Sequence, residues 1–123
     1  MLAILDYEAG NQTSVSRALT GLDIPNTITA DADTLLSAAG VIFPGVGAAA
    51  QAMNLLRTRG LDMDLRRIVD KGAPLLGICL GCQIMLEHSE EGDTETPGIF
   101  KGVTRRLAAD LTDETGDRIR NPH

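Results

Sequence analysis

Three short apolar runs stand out along the 123-residue chain: Leu2–Leu5, Gly40–Phe43 and residues 75–78. Each is continuous rather than alternating, which is the pattern of a strand buried on both faces. Between the first two runs the period lengthens. Val15, Ala18, Leu19 and Leu22 recur at helical spacing, and Asn11 stands where an N-cap would accept backbone hydrogen bonds, so a helix is predicted over about 12–22. After Pro25, residues 27–29 are β-prone but short. Residues 48–59, rich in Ala, Leu and Met, predict a helix; 64–71 predict a second, ending at Gly72, and 79 to about 87 a third. The resulting order is strand, helix, strand, strand, helix, strand, helix. That order predicts a single α/β domain over 1–123, with a mostly parallel sheet and helices on both faces.

Residues 89–98, SEEGDTETPG, read as a polar loop. Glu90, Glu91, Asp93 and Glu95 lie within it, but their spacing fits no calcium-binding loop, so no metal is expected there. Segments 98–107 and 117–120 read as strands flanking Asp113 to Gly116, a pairing that predicts a hairpin.

Composition narrows the functional classes. The formal net charge is −6, and Tyr7, Phe43 and Phe100 are the only aromatic residues, which argues against a basic nucleic-acid surface or a platform for stacking bases. The amino terminus lacks the basic and apolar regions of a secretory signal, and no apolar run reaches the length of a membrane span. Two cysteines form no disulfide array, so a reducing cytoplasm is the expected setting.

The chemistry concentrates where the predicted strands end, because binding groups in parallel sheets collect beyond the carboxyl ends of strands. Gly77-Ile78-Cys79-Leu80-Gly81 has the form G-x-C-x-G, the cysteine counterpart of the nucleophile elbow. Cys79 is the candidate nucleophile. Its thiolate would be favoured at a helix start, and the N–H of Leu80 would point at a developing oxyanion. Gly45-Val46-Gly47, after Pro44, supplies a second candidate donor, since the flanking glycines leave the Val46 peptide free to reorient. Cys82 completes a C-x-x-C at the same place, so thiol–disulfide exchange is a rival reading; as a structural residue, Cys82 would pack on the inner face of the helix. A cysteine nucleophile also needs a base. His88 follows Cys79 by nine residues, which on a continuous helix places it on the opposite side and about 13 Å along the axis; it reads as a surface residue near a helix end. His123 is the last residue, with nothing after it to orient it.

Taken together, Asp6-Tyr7 with Gly10-Asn11, Phe43-Pro44-Gly45-Val46-Gly47, the elbow with Gln83, and Pro122-His123 resemble the class I glutamine amidotransferases. The closest resemblance is to the glutaminase subunits of imidazole glycerol phosphate synthase, and it runs nearly end to end. FPGVG disfavours the sibling glutaminases of pyridoxal phosphate synthesis. The resemblance implies that Cys79 attacks the side-chain amide of glutamine, that Leu80 with Gly45, Val46 and Gly47 holds the oxyanion, and that Gln83 helps bind the substrate. It implies no cofactor and no metal. It also implies a heterodimer in which ammonia passes to a cyclase subunit in histidine biosynthesis, with Tyr7, Gly10 and Asn11 on the partner-facing loop.

Two departures accompany the likeness. Glu8 occupies a position that is usually glycine in the family, and the family's catalytic histidine and glutamate lie beyond the point matching Pro122-His123. The expectation is therefore a chain truncated at its C-terminal side, inactive alone, with an exposed sheet edge that favours self-association. A non-catalytic partner-binding module is the remaining alternative.

Overall fold

The computed structural model describes residues 1–8, 11–90, 94–105, 107 and 112–118. Four strands form a parallel sheet: β1 (Leu2–Leu5), β2 (Asn26–Thr29), β3 (Gly40–Phe43) and β4 (Leu75–Gly77), in the order β2-β1-β3-β4. Register follows from side-chain alternation. Ala3 lies opposite Val41, and Val41 opposite Leu75, so Ala3, Leu5, Val41 and Phe43 share one face. That face is buried with Leu35 of α2 (Ala32–Ser37), Met53 and Leu56 of α3 (Ala49–Thr58), and Leu61, Leu65 and Ile68 of α4 (Leu61–Asp70). Ile4 and Ile42 point the other way and are also buried, on the side where α1 (Gln12–Gly21) packs against β1 and β2. The mostly parallel α/β sheet with helices on both faces is thus as expected.

Several local expectations change. Asn11 precedes α1 but makes no side-chain capping bond, and Leu22 is 70% exposed, so the apolar face of α1 reduces to half-buried Val15 and Leu19. Between β2 and β3, where no helix was expected, Asp31 caps the six-residue α2 by accepting from the Thr34 N–H at 2.9 Å and from its hydroxyl at 2.8 Å. These bonds hold the Asp31 carboxyl below its usual range. Asp31→Ala is expected to lower the thermal midpoint by a few degrees, followed by circular dichroism, whereas Asp31→Asn, which keeps an acceptor, should not. Helix α4 begins at Leu61 rather than at residue 64.

The largest correction follows Cys79. The helix there, α5 (Leu80–Gln83), is one turn long, and β5 (His88–Ser89) follows it. Backbone pairing diverts the chain: the carbonyls of Met85, Leu86 and Glu87 accept from the N–H groups of Phe100, Gly98 and Thr96 at 2.8 to 3.0 Å. β5 pairs with β6 (Thr94–Glu95) antiparallel and with β7 (Val103–Thr104) parallel, making a second small sheet. His88 is therefore a half-buried strand residue, and the geometry of a continuous helix does not apply to it. Part of the predicted polar loop is strand, and the strand predicted over 98–107 shrinks to β7. Among the described residues Thr112 bridges Arg118 around the turn at Asp113, and residues 119–120 of the predicted hairpin lie outside those described.

Among the described residues β4 pairs only with β3. Leu76, on the face of Ile42, is 57% exposed, and Ile78 just beyond is 38% exposed, so apolar surface is present at this edge as expected.

Candidate functional site

Strand β4 hands the chain to α5 through Ile78 and Cys79. Cys79 has φ 56° and ψ −117°, a left-handed backbone that costs an ordinary residue roughly 1–3 kcal/mol and recurs at functional turns. Its side chain is an exposed free thiol. The turn is possible because α5 lies directly on the sheet. A Cβ at Gly81 would stand 1.9 Å from the Phe43 carbonyl oxygen, and one at Gly77 would stand 2.8 Å from both the N and Cα of Cys82. The two glycines of the G-x-C-x-G pattern are thus close-approach positions.

The same contact corrects the reading of Cys82. Its backbone, not its side chain, faces the strand at Gly77, and the thiol is exposed rather than packed inward.

The 44–47 loop lies against the start of α5. Gly45 is buried, with its Cβ position 3.1 Å from both the Gly81 nitrogen and the Leu80 Cβ, whereas Val46 and Gly47 are exposed. The Leu80 N–H, expected as an oxyanion donor, donates to the Gly45 carbonyl at 3.3 Å and is occupied in this conformation. Leu80 itself is 2% exposed. Gln83 is exposed one turn after Cys79, and its N–H donates to the Cys79 carbonyl at 3.1 Å.

Tyr7 does not present its side chain to a partner. It is fully buried, its hydroxyl donates to the Pro44 carbonyl at 2.7 Å, and its ring meets Phe43 edge-on at 5.5 Å. Burial, and then the nearby charge of Cys79, push its phenol up to about 12. The exposed residues of this loop are Glu8 and Asn11, and Gly10 lies outside those described. Glu8 takes φ 67°, a backbone that glycine adopts freely, and its carboxylate pairs with Arg59 at the end of α3. Glu8 is thus a non-glycine residue at a backbone conformation that favours glycine.

Sequence reasoning assigned no role to Gln12, which is 8% exposed with an Nε2 that finds no partner among the described residues. No group of three or more His, Cys, Asp or Glu among those residues is arranged to hold a metal, and none of the helices they form is long and apolar enough to cross a membrane.

A strained cysteine at a strand-to-helix turn, lying beside a glycine-bearing loop on a parallel sheet, agrees with what comparison with known proteins finds. A model of the CobB/CobQ-like glutamine amidotransferase domain matches residues 16–107, and the chain belongs to the glutamine amidotransferase family. It is 63% identical over 123 residues to the imidazole glycerol phosphate synthase subunit HisH of Nitratidesulfovibrio vulgaris, 55% identical to that of Maridesulfovibrio salexigens, and 41% identical over 124 residues to that of Geobacillus kaustophilus. All of the chain is matched each time, and it spans 58% of each relative's length. A crystal structure of a glutamine amidotransferase superposes with a TM-score of 0.67 at 22% identity, covering 80% of this chain and 52% of that one, a likeness of fold.

Proposed function

We propose that this chain carries the nucleophile half of a glutaminase site. The observation that carries the reading is Cys79, an exposed thiol held at positive φ by the close seating of α5 on the sheet. The Cys79 thiolate bonds to the side-chain amide carbon of glutamine, forming a tetrahedral oxyanion. The C–N bond then breaks and ammonia leaves with an added proton, giving a thioester. Water attacks that thioester, the C–S bond breaks, and glutamate and the thiol are released.

In this reading Leu80 and the Val46 peptide donate to the oxyanion, which requires the Gly45 carbonyl to turn away from the Leu80 N–H. Gln83 lies one turn along, on the side open to substrate. No general base for Cys79 is assigned within these 123 residues, which span 58% of the length of the relative from Nitratidesulfovibrio vulgaris. Ammonia passes to a cyclase subunit that builds imidazole glycerol phosphate, and Glu8 and Asn11 form the partner-facing part of the first loop. Without a general base the chain alone is expected to complete no turnover of glutamine, while Cys79 keeps the nucleophilicity that covalent labelling reads.

The exposure of both thiols favours one second reading, C-x-x-C exchange chemistry. Labelling with a diazoketone analogue of glutamine, mapped by peptide mass spectrometry, separates the two. Cys79 is expected to label at least about tenfold faster than Cys82; equal labelling, or a Cys79–Cys82 disulfide with a defined reversible potential, would favour exchange.

A further inference from the structure

Tyr7 is the only tyrosine in the chain, and the chemistry proposed for Cys79 gives its hydroxyl no part. Yet that hydroxyl sits against the 44–47 loop, which lies on the start of α5 beside the cysteine. It donates to the Pro44 carbonyl at 2.7 Å in a buried bond between residues 37 apart. A Cβ on the next residue, Gly45, would come within 2.4 Å of it, so the Gly45 Cα is clamped between the phenol and the first turn of α5. Two successive carbonyls are thereby tied down: that of Pro44 by the phenol, and that of Gly45 by the Leu80 N–H. A phenol has one proton to donate, and the buried Pro44 oxygen takes it.

We propose that the Tyr7 hydroxyl is a positioning group for the candidate site, fixing the 44–47 loop through the Pro44 carbonyl and so holding the Gly45 carbonyl over the Leu80 N–H. The ring supplies packing against Phe43, which a phenylalanine reproduces; the hydroxyl alone supplies the tie. Its influence on Cys79 runs through the loop. The functional consequence rests on the glutaminase reading, whereas the positioning itself does not.

The test is amide hydrogen exchange by NMR on the 123-residue chain. In Tyr7→Phe the Leu80 amide is expected to exchange about tenfold faster, while the amides of Ile4 and Ile42 in the sheet keep their rates relative to one another and to the wild type. A purely structural role would speed all three together. Leu80 exchange within twofold of the wild type overturns the proposal. If Tyr7→Phe does not fold, 3-fluorotyrosine incorporation alters position 7 alone and makes the phenol a stronger donor: Leu80 exchange should slow, and an unchanged rate overturns the proposal equally. A second arm compares Cys79 labelling by the diazoketone with labelling by iodoacetamide, and Tyr7→Phe should raise that ratio at least threefold as the Leu80 N–H is released. Were the analogue to leave wild-type Cys79 unlabelled while the exchange effect persisted, the glutaminase reading would fail and the positioning role would stand. Labelling without the exchange effect would mean the reverse.

Discussion

Gly81→Ala is expected to destabilise the fold by about 3 kcal/mol or more, the range of severe overpacking. The added Cβ would stand 1.9 Å from the Phe43 carbonyl oxygen and 2.8 Å from its carbon. Neither neighbour is the tip of a flexible side chain. Phe43 ends β3, which pairs with β1 on one side and β4 on the other, and its carbonyl also accepts from the Ile78 N–H at 3.0 Å. Relief therefore requires α5 to lift from the sheet, taking Cys79 with it. Denaturant unfolding gives the loss of stability, and diazoketone labelling gives the displacement of the thiol. A Gly81→Ala chain within about 0.5 kcal/mol of the wild type, with Cys79 labelled at the same rate, would contradict the close seating of the helix.

Alkali should weaken the fold through Tyr7. The phenol is neutral and buried in the folded chain, and its pKa rises from 10.0 to about 12. A group whose folded pKa is raised contributes its full stability below the unfolded pKa and loses it as pH climbs through the folded one. The window is therefore pH 10 to 12, and the loss across it is on the order of 2 kcal/mol. Global stability carries every pH-linked contribution at once, so the informative quantity is the difference between wild type and Tyr7→Phe. Stability of the wild type should fall faster with pH in that window. Because Tyr7 is the sole tyrosine, phenolate absorbance reports its titration directly, and a midpoint near pH 10 in the folded chain would refute the burial argument.

What was legible in the sequence is what local physics decides. LAIL and GVIF are strands because buried parallel strands are continuous apolar runs, and the glycines around Cys79 marked a turn that only close backbone approach explains. The helix expected after Cys79 was overextended because Ile84, Met85 and Leu86 suit a helix, while the backbone partners that divert the chain lie nine or more residues downstream. The two-residue strands β5, β6 and β7 exist only through that pairing and have no periodicity of their own. Helix α2 is too short for a period to show; Asp31 and Thr34 were its only signal. Tyr7 was readable in principle, since Ala3, Leu5 and Tyr7 continue an alternation of two that points at the core. The motif's association with a partner-facing loop masked that simpler pattern. The covering of Leu80 by Gly45 belongs to a single peptide orientation, which residue identity does not encode.

Strand β4 ends in the turn that carries the thiol of the candidate nucleophile, and among the described residues it is held along one side only. Mechanically that is a cantilever. Its inner rail is the three-residue ladder to β3, and small rotations about that rail are largest at the tip, where the thiol stands. Any strand that docked on the free rail would turn the cantilever into a beam supported on both sides. The sharpness with which the sulfur is aimed is thus a property of the sheet's width, set from an edge that takes no part in the chemistry.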